Sequence, residues 1–352
     1  MKPLTLQYFN NFLKMQVFKI EENDANQRLD KFLKKLFPNA TRSLIYKLNR
    51  KDKIKVKNIS DGEKFRKKDN EYKLEIGDEV KIFLNENEFK ELSEVKIEKT
   101  TESSEKFDKN DIVYEDGDLL IINKSSGINV HAGDHKTKET NVILQVQDYL
   151  GKKLNSLTFK PSLIHRIDRD TSGILMIAKK KNILTQLVSD FKNHKKIEKT
   201  YYAIVLGRLS RKEGTIKKPL KRIENAKGEN KVQVANDGQT AITHFKLLKE
   251  HFLKTEKEEI ILSEVEVKIE TGRMHQIRVH MASIGNPIVG DKTYGDKQKN
   301  IFFEKNFGLK RQALHSWKIK FFHYGKNKKM ELEARIKKDL KDFLKKIDEE
   351  NN

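Results

Sequence analysis

The sequence predicts an α+β protein in two parts, a small basic module followed by a larger domain that mixes strands and helices. Three observations predict it. Two short helical spacings of apolar residues stand near the N-terminus between strand-like segments. A polar stretch over 86–110 then interrupts the apolar pattern, and from Ile112 onward strand-like runs recur with helical spacings between some of them. At roughly 100–200 residues per domain, a chain of 352 residues suits two or three domains, enough to bury a core.

Residues 1–15 read as an N-terminal extension, with Met15 as an alternative start, and residues 16–86 as the module. A first strand is expected at 16–20. From Asn26, a candidate cap, Leu29, Phe32, Leu33 and Leu36 fall on one helix face with Lys31, Lys34 and Lys35 on the other, and Pro38 ends the helix. Thr41 caps a second helix, whose Leu44, Ile45 and Leu48 turn inward while Arg42, Lys47 and Arg50 turn outward. Lys53-Ile54-Lys55-Val56 alternates as a strand does, and the turn Gly77-Asp78-Glu79 precedes a strand at 80–84. The stretch 86–110, rich in Glu, Lys, Ser and Thr, reads as extended solvated chain, so a charged linker is expected over 87–110. Residues 111–350 form the larger domain. Strands are expected at 119–123, 174–178, 201–206, 242–247, 260–269 and 319–322, and helices at 141–150 and 182–191. Ile336, Leu340, Phe343, Leu344 and Ile347 predict a closing amphipathic helix.

Lys and Arg number 73 against 52 Asp and Glu, a formal charge of +21. Such an excess favours an anionic partner, nucleic acid first among them. It is also concentrated: from Lys31 to Lys57 ten basic residues stand against one acid, Asp52. The absence of cysteine excludes disulfide frameworks, thiolate nucleophiles, zinc ribbons and iron–sulfur clusters. No apolar run reaches the roughly 20 residues of a membrane span, and the N-terminus lacks the basic-then-apolar order of a secretory signal. A soluble, cytoplasmic protein is expected.

The densest chemical cluster is His165-Arg166-Ile167-Asp168-Arg169-Asp170-Thr171-Ser172-Gly173. It begins like a calcium loop, yet Lys179 stands at the twelfth position, where a bidentate Glu is required. Ser172 lacks the Gly-x-Ser-x-Gly elbow of a hydrolase. Gly285-x4-Gly290-Asp291-Lys292-Thr293 approaches a phosphate loop, but Asp291 puts a carboxylate into the anion cradle. His131 with His135 and His275 with His280 have spacings a metal could use; no acid lies beside the second pair, and satisfied or RNA-facing histidines are expected. What remains is Asp168 flanked by Arg166 and Arg169, which taken alone reads as a surface ion pair.

Longer patterns change that reading. Arg28-Leu29-Asp30-Lys31-Phe32-Leu33, Thr41-Arg42-Ser43, Ile54-Lys55-Val56-Lys57 and Gly77-Asp78-Glu79-Val80, in this order, resemble the S4 RNA-binding module. Residues 165–173 together with Gly272-Arg273-Met274-His275-Gln276-Ile277-Arg278-Val279-His280 resemble the two signature motifs of the pseudouridine synthases of the large-subunit ribosomal RNA type. Further matches are Asn123-Lys124-x-x-Gly127-x-x-Val130-His131, Lys199-x-Tyr201-x-Ala203-x-Val205-x-Gly207, Gly285-x-Pro287-Ile288-x-Gly290-Asp291-x-x-Tyr294-Gly295 and Arg311-Gln312-Ala313-Leu314-His315. The likeness runs from residue 26 to residue 325. The 285–295 stretch, the region of Asn300 and Leu309, and the tail most resemble the branch that modifies several uridines of large-subunit rRNA. One departure is that Ser125 and Ser126 stand where the family usually has Pro and a small residue, which relaxes the turn before Gly127.

The resemblance implies an S4 (α-L) module in front of the pseudouridine synthase fold, a mixed and mostly antiparallel sheet with flanking helices. It implies Asp168 as the essential carboxylate, and Arg278 as the partner that keeps it charged from within about 4–6 Å. Tyr201 is implied as the pocket tyrosine, giving a ring face to a flipped-out uridine and a phenol that moves a proton from C5. Expected RNA contacts are Arg28, Lys31, Arg42, Lys47, Arg50 and Lys55 in the module, with His165, Arg166, Arg169, Arg273 and His275 shaping the loops or meeting phosphate in the larger domain. The isomerisation consumes no reagent, so no cofactor and no metal are expected. The implied partner is large-subunit rRNA, met by a monomer without a membrane. Two other classes compete: a non-catalytic ribosome assembly factor with the same fold, disfavoured because Asp168, Tyr201 and Arg278 are all present, and a metal-dependent hydrolase, which chelators would inhibit.

Overall fold

The computed structural model describes residues 15–59, 62–94, 107–131, 141–151, 156–193, 196–224 and 230–350. The chain divides into two compact units, Met1–Ser104 with Leu150–Lys160, and Glu105–Tyr149 with Pro161–Asn352.

In the first unit β1 (Met15–Lys19) is followed by α1 (Leu29–Leu36), α2 (Arg42–Arg50), β2 (Ile54–Lys57), β3 (Glu79–Phe83) and α3 (Glu86–Ser93). The strands form an antiparallel sheet in the order β1-β3-β2. Leu29, Phe32 and Leu33 of α1 and Ile45 of α2 bury against Ile54, Val56, Val80 and Ile82 of the sheet. Each such side chain contributes about 1.5–3 kcal/mol on burial. Asn26 is not the cap of α1: it lies in the left-handed region at φ 57°, and Arg28 occupies the cap position. Thr41 caps α2 as expected, its Oγ1 accepting from the Leu44 amide at 3.2 Å. The segment expected to be extended begins instead with α3. Asn85 and Glu88 close a capping box there, with Glu88 N donating to Asn85 Oδ1 at 2.8 Å and Asn85 N donating to Glu88 Oε2 at 3.0 Å. Phe89 and Leu92, one helical step apart, pack on the core.

A later piece of chain completes this unit. Asp24 is fully buried and its carboxylate accepts from Ser156 Oγ, Leu157 N, Thr158 N and Thr158 Oγ1 at 3.0, 3.0, 2.8 and 2.6 Å. Four donors on one carboxylate explain why residues 156–160 belong here despite their position in the sequence.

In the second unit β4 (Ile112–Glu115) and β5 (Leu119–Lys124) precede α4 (Val142–Leu150), β6 (Ser162–Leu163), β7 (Ser172–Ala178), α5 (Lys181–Asn193), β8 (Glu198–Leu206) and β9 (Glu213–Lys217). Then come β10 (Leu220–Glu224), β11 (Asn230–Val234), β12 (Ile242–Lys254), β13 (Glu259–Ile269), α6 (Gln276–Ala282), α7 (Lys297–Phe307), β14 (Leu314–His323), β15 (Lys328–Glu333) and α8 (Lys338–Glu349). Among the described residues one sheet runs β4-β5-β7-β14-β8-β13-β12-β9, with β15 on β14 and β6 on β7; β10 and β11 form a separate hairpin. Every described pairing is antiparallel except β7 with β14, so the sheet is mostly antiparallel as expected. β5 and β7 are buried along their whole length, which is why they read as unbroken apolar runs. Where β7 starts against β14, Gly173 has φ 110°, and a Cβ there would lie 2.2 Å from the Ser316 carbonyl. Only glycine fits that approach.

The closing helix α8 buries Leu340, Phe343 and Ile347, with Phe343 edge-on to Phe303 at 5.5 Å. Arg311 holds its first turn through Asp339 at 2.7 and 2.9 Å. No helix among the described residues is long and apolar enough to cross a membrane.

Candidate active site

Asp168 lies on the loop that enters β7, and this loop is fastened from below. The Lys124 amine, at the end of β5, donates to the carbonyls of Ser125, Ile128 and Arg169 at 2.8, 2.9 and 2.7 Å. Burial pulls its pKa down to about 7, with Asp170 pulling the other way. Gly127 N donates to Arg169 O, and Arg169 Nε donates to Gly127 O, each at 3.0 Å. The turn lacking the family's proline is tied by other means: Lys337 Nζ donates to Ser125 Oγ at 3.1 Å and pairs with Asp111 at 2.6 Å. At the far end of the loop Gln312 Nε2 donates to Thr171 Oγ1 at 2.7 Å.

Arg278 reaches Asp168 from α6. That helix starts at His275, which sits in the left-handed region at φ 52°. Gln276 secures the turn, accepting from Thr271 Oγ1 and Arg273 N at 2.8 and 3.0 Å and donating to Ile242 O at 3.0 Å. The Arg278 guanidinium donates Nε and Nη2 to the two oxygens of Asp291 at 2.7 and 2.8 Å, and Nη1 to Asp168 Oδ2 at 3.1 Å. Asp291 is wholly buried. Burial alone would raise its pKa, but Arg278 and the amides of Thr293 and Tyr294 hold it below the usual carboxylate range. The preceding Gly290 packs directly on the Arg311 backbone, where a Cβ would lie 2.1 Å from the carbonyl.

Tyr201 and Lys199 project from β8 on the same side as one another. Burial, then the Asp168 carboxylate, pushes the Tyr201 phenol up to about 12, so it rests as a neutral hydroxyl. His275 lies with Nε2 3.8 Å from Asp168 Oδ2 and Nδ1 2.9 Å from the Tyr294 hydroxyl. The Tyr294 ring carries the Arg278 guanidinium at 5.1 Å from its centroid. Asp168, Tyr201, Arg278, Lys199, Arg273 and His275 line one cavity of about 460 Å³. That volume accommodates a single nucleoside.

The structure thus brings Asp168, Tyr201 and Arg278 together. Arg166 and Arg169 are exposed beside them, and Arg273 is half-buried with its Nε on Thr240 O at 3.1 Å. Of the two roles expected of His165, shaping the loop or meeting phosphate, its surroundings favour the first. Its Nε2 accepts from the Met176 amide at 3.2 Å, its ring stacks on Phe191 at 4.7 Å, and burial, then Lys199, lowers its pKa to about 3. A neutral imidazole so engaged offers no charge to phosphate; it shapes the loop. In the first unit Lys31, Arg42, Lys47 and Arg50 are exposed on α1 and α2, and Lys55 is half-buried on β2. Arg28 does not present its charge to solvent alone: it donates to Asp30 at 3.1 and 3.0 Å and pairs with Glu71 at 2.9 Å.

The discarded chemistries also find their places. Ser172 Oγ is 2.8 Å from His315 Nδ1 inside the core, where burial lowers the histidine to about 4. His280 is held by Thr243 Oγ1 and Lys218 O at 2.8 and 2.9 Å, away from the His275 contacts. His131 is exposed, and His135 lies outside the described residues. Asp116, Asp118 and His323 converge elsewhere, but Asp116 already accepts from Tyr114, His323 and two amides, and Asp118 pairs with Lys180 at 2.8 Å. Reasoning from sequence missed Asp291, Tyr294 and Lys199 as members of the site. The available signal was their place in the family-like motifs, and for Asp291 a carboxylate that directly follows the apolar pair Ile288-Val289 and Gly290.

A carboxylate, a guanidinium and an aromatic ring around a nucleoside-sized cavity, in a strongly basic chain, fit an enzyme that acts on a nucleoside of nucleic acid. Residues 118–283 match the family model described as RNA pseudouridylate synthase. Relatives named "Ribosomal large subunit pseudouridine synthase C" include those of Buchnera aphidicola subsp. Schizaphis graminum, 36% identical over 94% of this chain and 96% of its own, and Vibrio cholerae, 34% identical over 95% and 97%. That of Escherichia coli K12 is 33% identical over 95% and 97%. The solved structure of human RNA Pseudouridylate Synthase Domain Containing 4 shares the fold, with a TM-score of 0.53 at 21% identity over 68% of this chain and 93% of that one. The chain belongs to the RNA pseudouridylate synthase family. It is a pseudouridine synthase, an isomerase of uridine in RNA.

Proposed function

We propose that this enzyme converts uridines of large-subunit ribosomal RNA to pseudouridine in the cytoplasm, with Asp168, Arg278 and Tyr201 as its catalytic group and residues 16–86 as an S4-type RNA-binding module. The observation that carries the catalytic assignment is the 3.1 Å contact of Arg278 with Asp168 in the wall of a cavity that Tyr201 also lines. The names of relatives 33–36% identical over nearly their full lengths support the choice of RNA.

In this reading the target uridine is turned out of its stack, at a cost of a few kcal/mol, into the cavity. Asp168 acts at the junction of base and sugar, and Arg278 orients it. The N1–C1′ bond breaks, the base turns, C5 bonds to C1′, the C5 hydrogen leaves as a proton and N1 gains one. Nothing external is consumed, so no cofactor or metal is required. The Tyr201 ring supports the turned-out base, and its hydroxyl serves the C5 proton. Exposed cations of α1 and α2 grip phosphates of the structured RNA while the base is displaced.

Release of tritium from rRNA carrying 5-tritiated uridine tests the reading. Wild-type protein is expected to release label at an unchanged rate in EDTA. Tight RNA binding without release would favour an assembly factor, and loss of release in EDTA would favour metal-dependent chemistry.

A further inference from the structure

The cations lining the cavity are not equivalent. Arg278 is committed to Asp291 and Asp168, and Arg273 donates its Nε to the Thr240 carbonyl. Arg166 and Lys192 are exposed at the rim. Lys199 differs from all four. It is largely enclosed, it has no hydrogen-bond acceptor and no carboxylate among the described residues, and its ammonium lies 5.5 Å from the centre of the Phe191 ring. Gly272 faces it without a side chain; a Cβ there would sit 3.4 Å from Nζ, and anything larger would cover the amine. Burial has already drawn its pKa down to about 8. An enclosed ammonium lacking an acceptor is unfavourable until a ligand brings one.

The isomerisation brings one. When the N1–C1′ bond breaks, its electron pair stays with the uracil, whose ring then carries a negative charge shared by N1, O2 and O4 until C5 bonds to C1′. A fixed cation in a water-poor cavity stabilises such developing charge far more than water does. β8 sets Lys199 two residues from Tyr201, on the same side of the strand and in the same cavity wall.

We propose that Lys199 is a further catalytic residue, its ammonium donating to an exocyclic oxygen of the detached uracil and balancing its charge while the base turns from N1 to C5. Lys199 transfers no proton. The pair that leaves C1′ with N1 is matched by the pair that C5 brings back, and the proton lost from C5 is matched by the one N1 gains. This rests on the cavity being the uridine site.

The test uses full-length protein and an rRNA fragment, with single-turnover rate, RNA Kd and Tm measured for Lys199→Met, Lys199→Arg and Asp168→Asn. Lys199→Met is expected to slow the single turnover about 10²–10³-fold, with Kd within about threefold and Tm unchanged, and Lys199→Arg to recover at least about tenfold of the loss. An unchanged rate with weakened binding would make Lys199 a phosphate clamp and overturn the proposal. So would a wild-type rate and Kd together. If Lys199→Met unfolds, Lys199→Gln decides, since it keeps a donor but no charge: a rate loss at wild-type Tm supports the role, and a wild-type rate overturns it. Turnover that survives in Asp168→Asn would instead sink the reading of the cavity itself.

Discussion

Arg278 joins two carboxylates unequally: buried Asp291 takes two of its nitrogens at 2.7 and 2.8 Å, and partly exposed Asp168 receives the third at 3.1 Å. The guanidinium is therefore oriented by Asp291 whether or not Asp168 is engaged. Asp168 can meet a nucleotide without releasing the arginine from its place.

Asp291→Asn should therefore act at a distance from the substrate. It leaves Arg278 charged and half-satisfied in the interior, a change that costs about 3–5 kcal/mol. Denaturant unfolding should register that loss, and tritium release should fall more than about a hundredfold as the guanidinium loses its aim. Wild-type stability would mean that Arg278 is held by something else.

Asp168→Asn is the complementary change. It keeps the shape and leaves Arg278 anchored on Asp291, so folding should be unaffected. Turnover should vanish while RNA affinity falls less than about tenfold, because binding rests on phosphate contacts. Equal loss of both would make the aspartate structural.

Tyr201→Phe separates ring from hydroxyl. The ring face remains for the turned-out base, so Kd should stay within about threefold. Removing a group that moves a proton in the transition state should lower kcat about 10²–10⁴-fold. A wild-type kcat would reduce Tyr201 to a stacking platform.

His251 predicts a pH dependence of stability. Burial alone would lower its pKa, but hydrogen bonds and charge from Glu264, 2.7 Å away on β13, and Asp348 of α8 raise it above the ordinary 6.5. A pKa raised by folding gives stability that is complete below 6.5 and is lost as pH climbs through the folded value. The wild-type Tm should therefore fall on going from pH 6 to pH 8 more than that of His251→Gln. Parallel curves would show that the histidine does not clamp α8.

The salt dependence of RNA binding should discriminate among basic residues of the first unit. Replacing exposed Lys47 or Arg50 by alanine should reduce the slope of log K against log salt by about 0.7–0.9 for each phosphate that the protein no longer neutralises. Arg28→Ala should leave the slope unchanged, because its charge is already matched by Asp30 and Glu71. An unchanged slope in all three variants would show that α1 and α2 do not touch RNA.

Much of this architecture could be read from local patterns. The buried strands β5 and β7 were legible because a strand covered on both faces is an uninterrupted apolar run, and α8 because its apolar residues keep a helical period. The capping box of α3 was hidden by charged composition around it, since two apolar residues suffice to seat a short helix. β9, β10 and β11 bury Ile216, Leu220 and Val232 amid polar neighbours, β15 buries none of its residues, and such short strands carried no comparable signal. At the site, Asp168 and Arg278 stood in long motifs, whereas Asp291 looked like an obstacle to a phosphate loop. Its purpose depends on a helix thirteen residues earlier folding back upon it, a relation that spacing does not disclose. For His165 the sequence left two roles open, because spacing does not disclose that its ring stacks on Phe191 and is held neutral.

The return of residues 150–160 to the N-terminal unit has a bearing on chimeras as well as on folding. A boundary drawn through the linker would cut the polypeptide once, yet the chain passes between the two bodies at three places. Exchanging the N-terminal piece for that of another protein would strand the acidic anchor Asp24 or its four donors. A chimera joined there loses those contacts unless both segments are exchanged together.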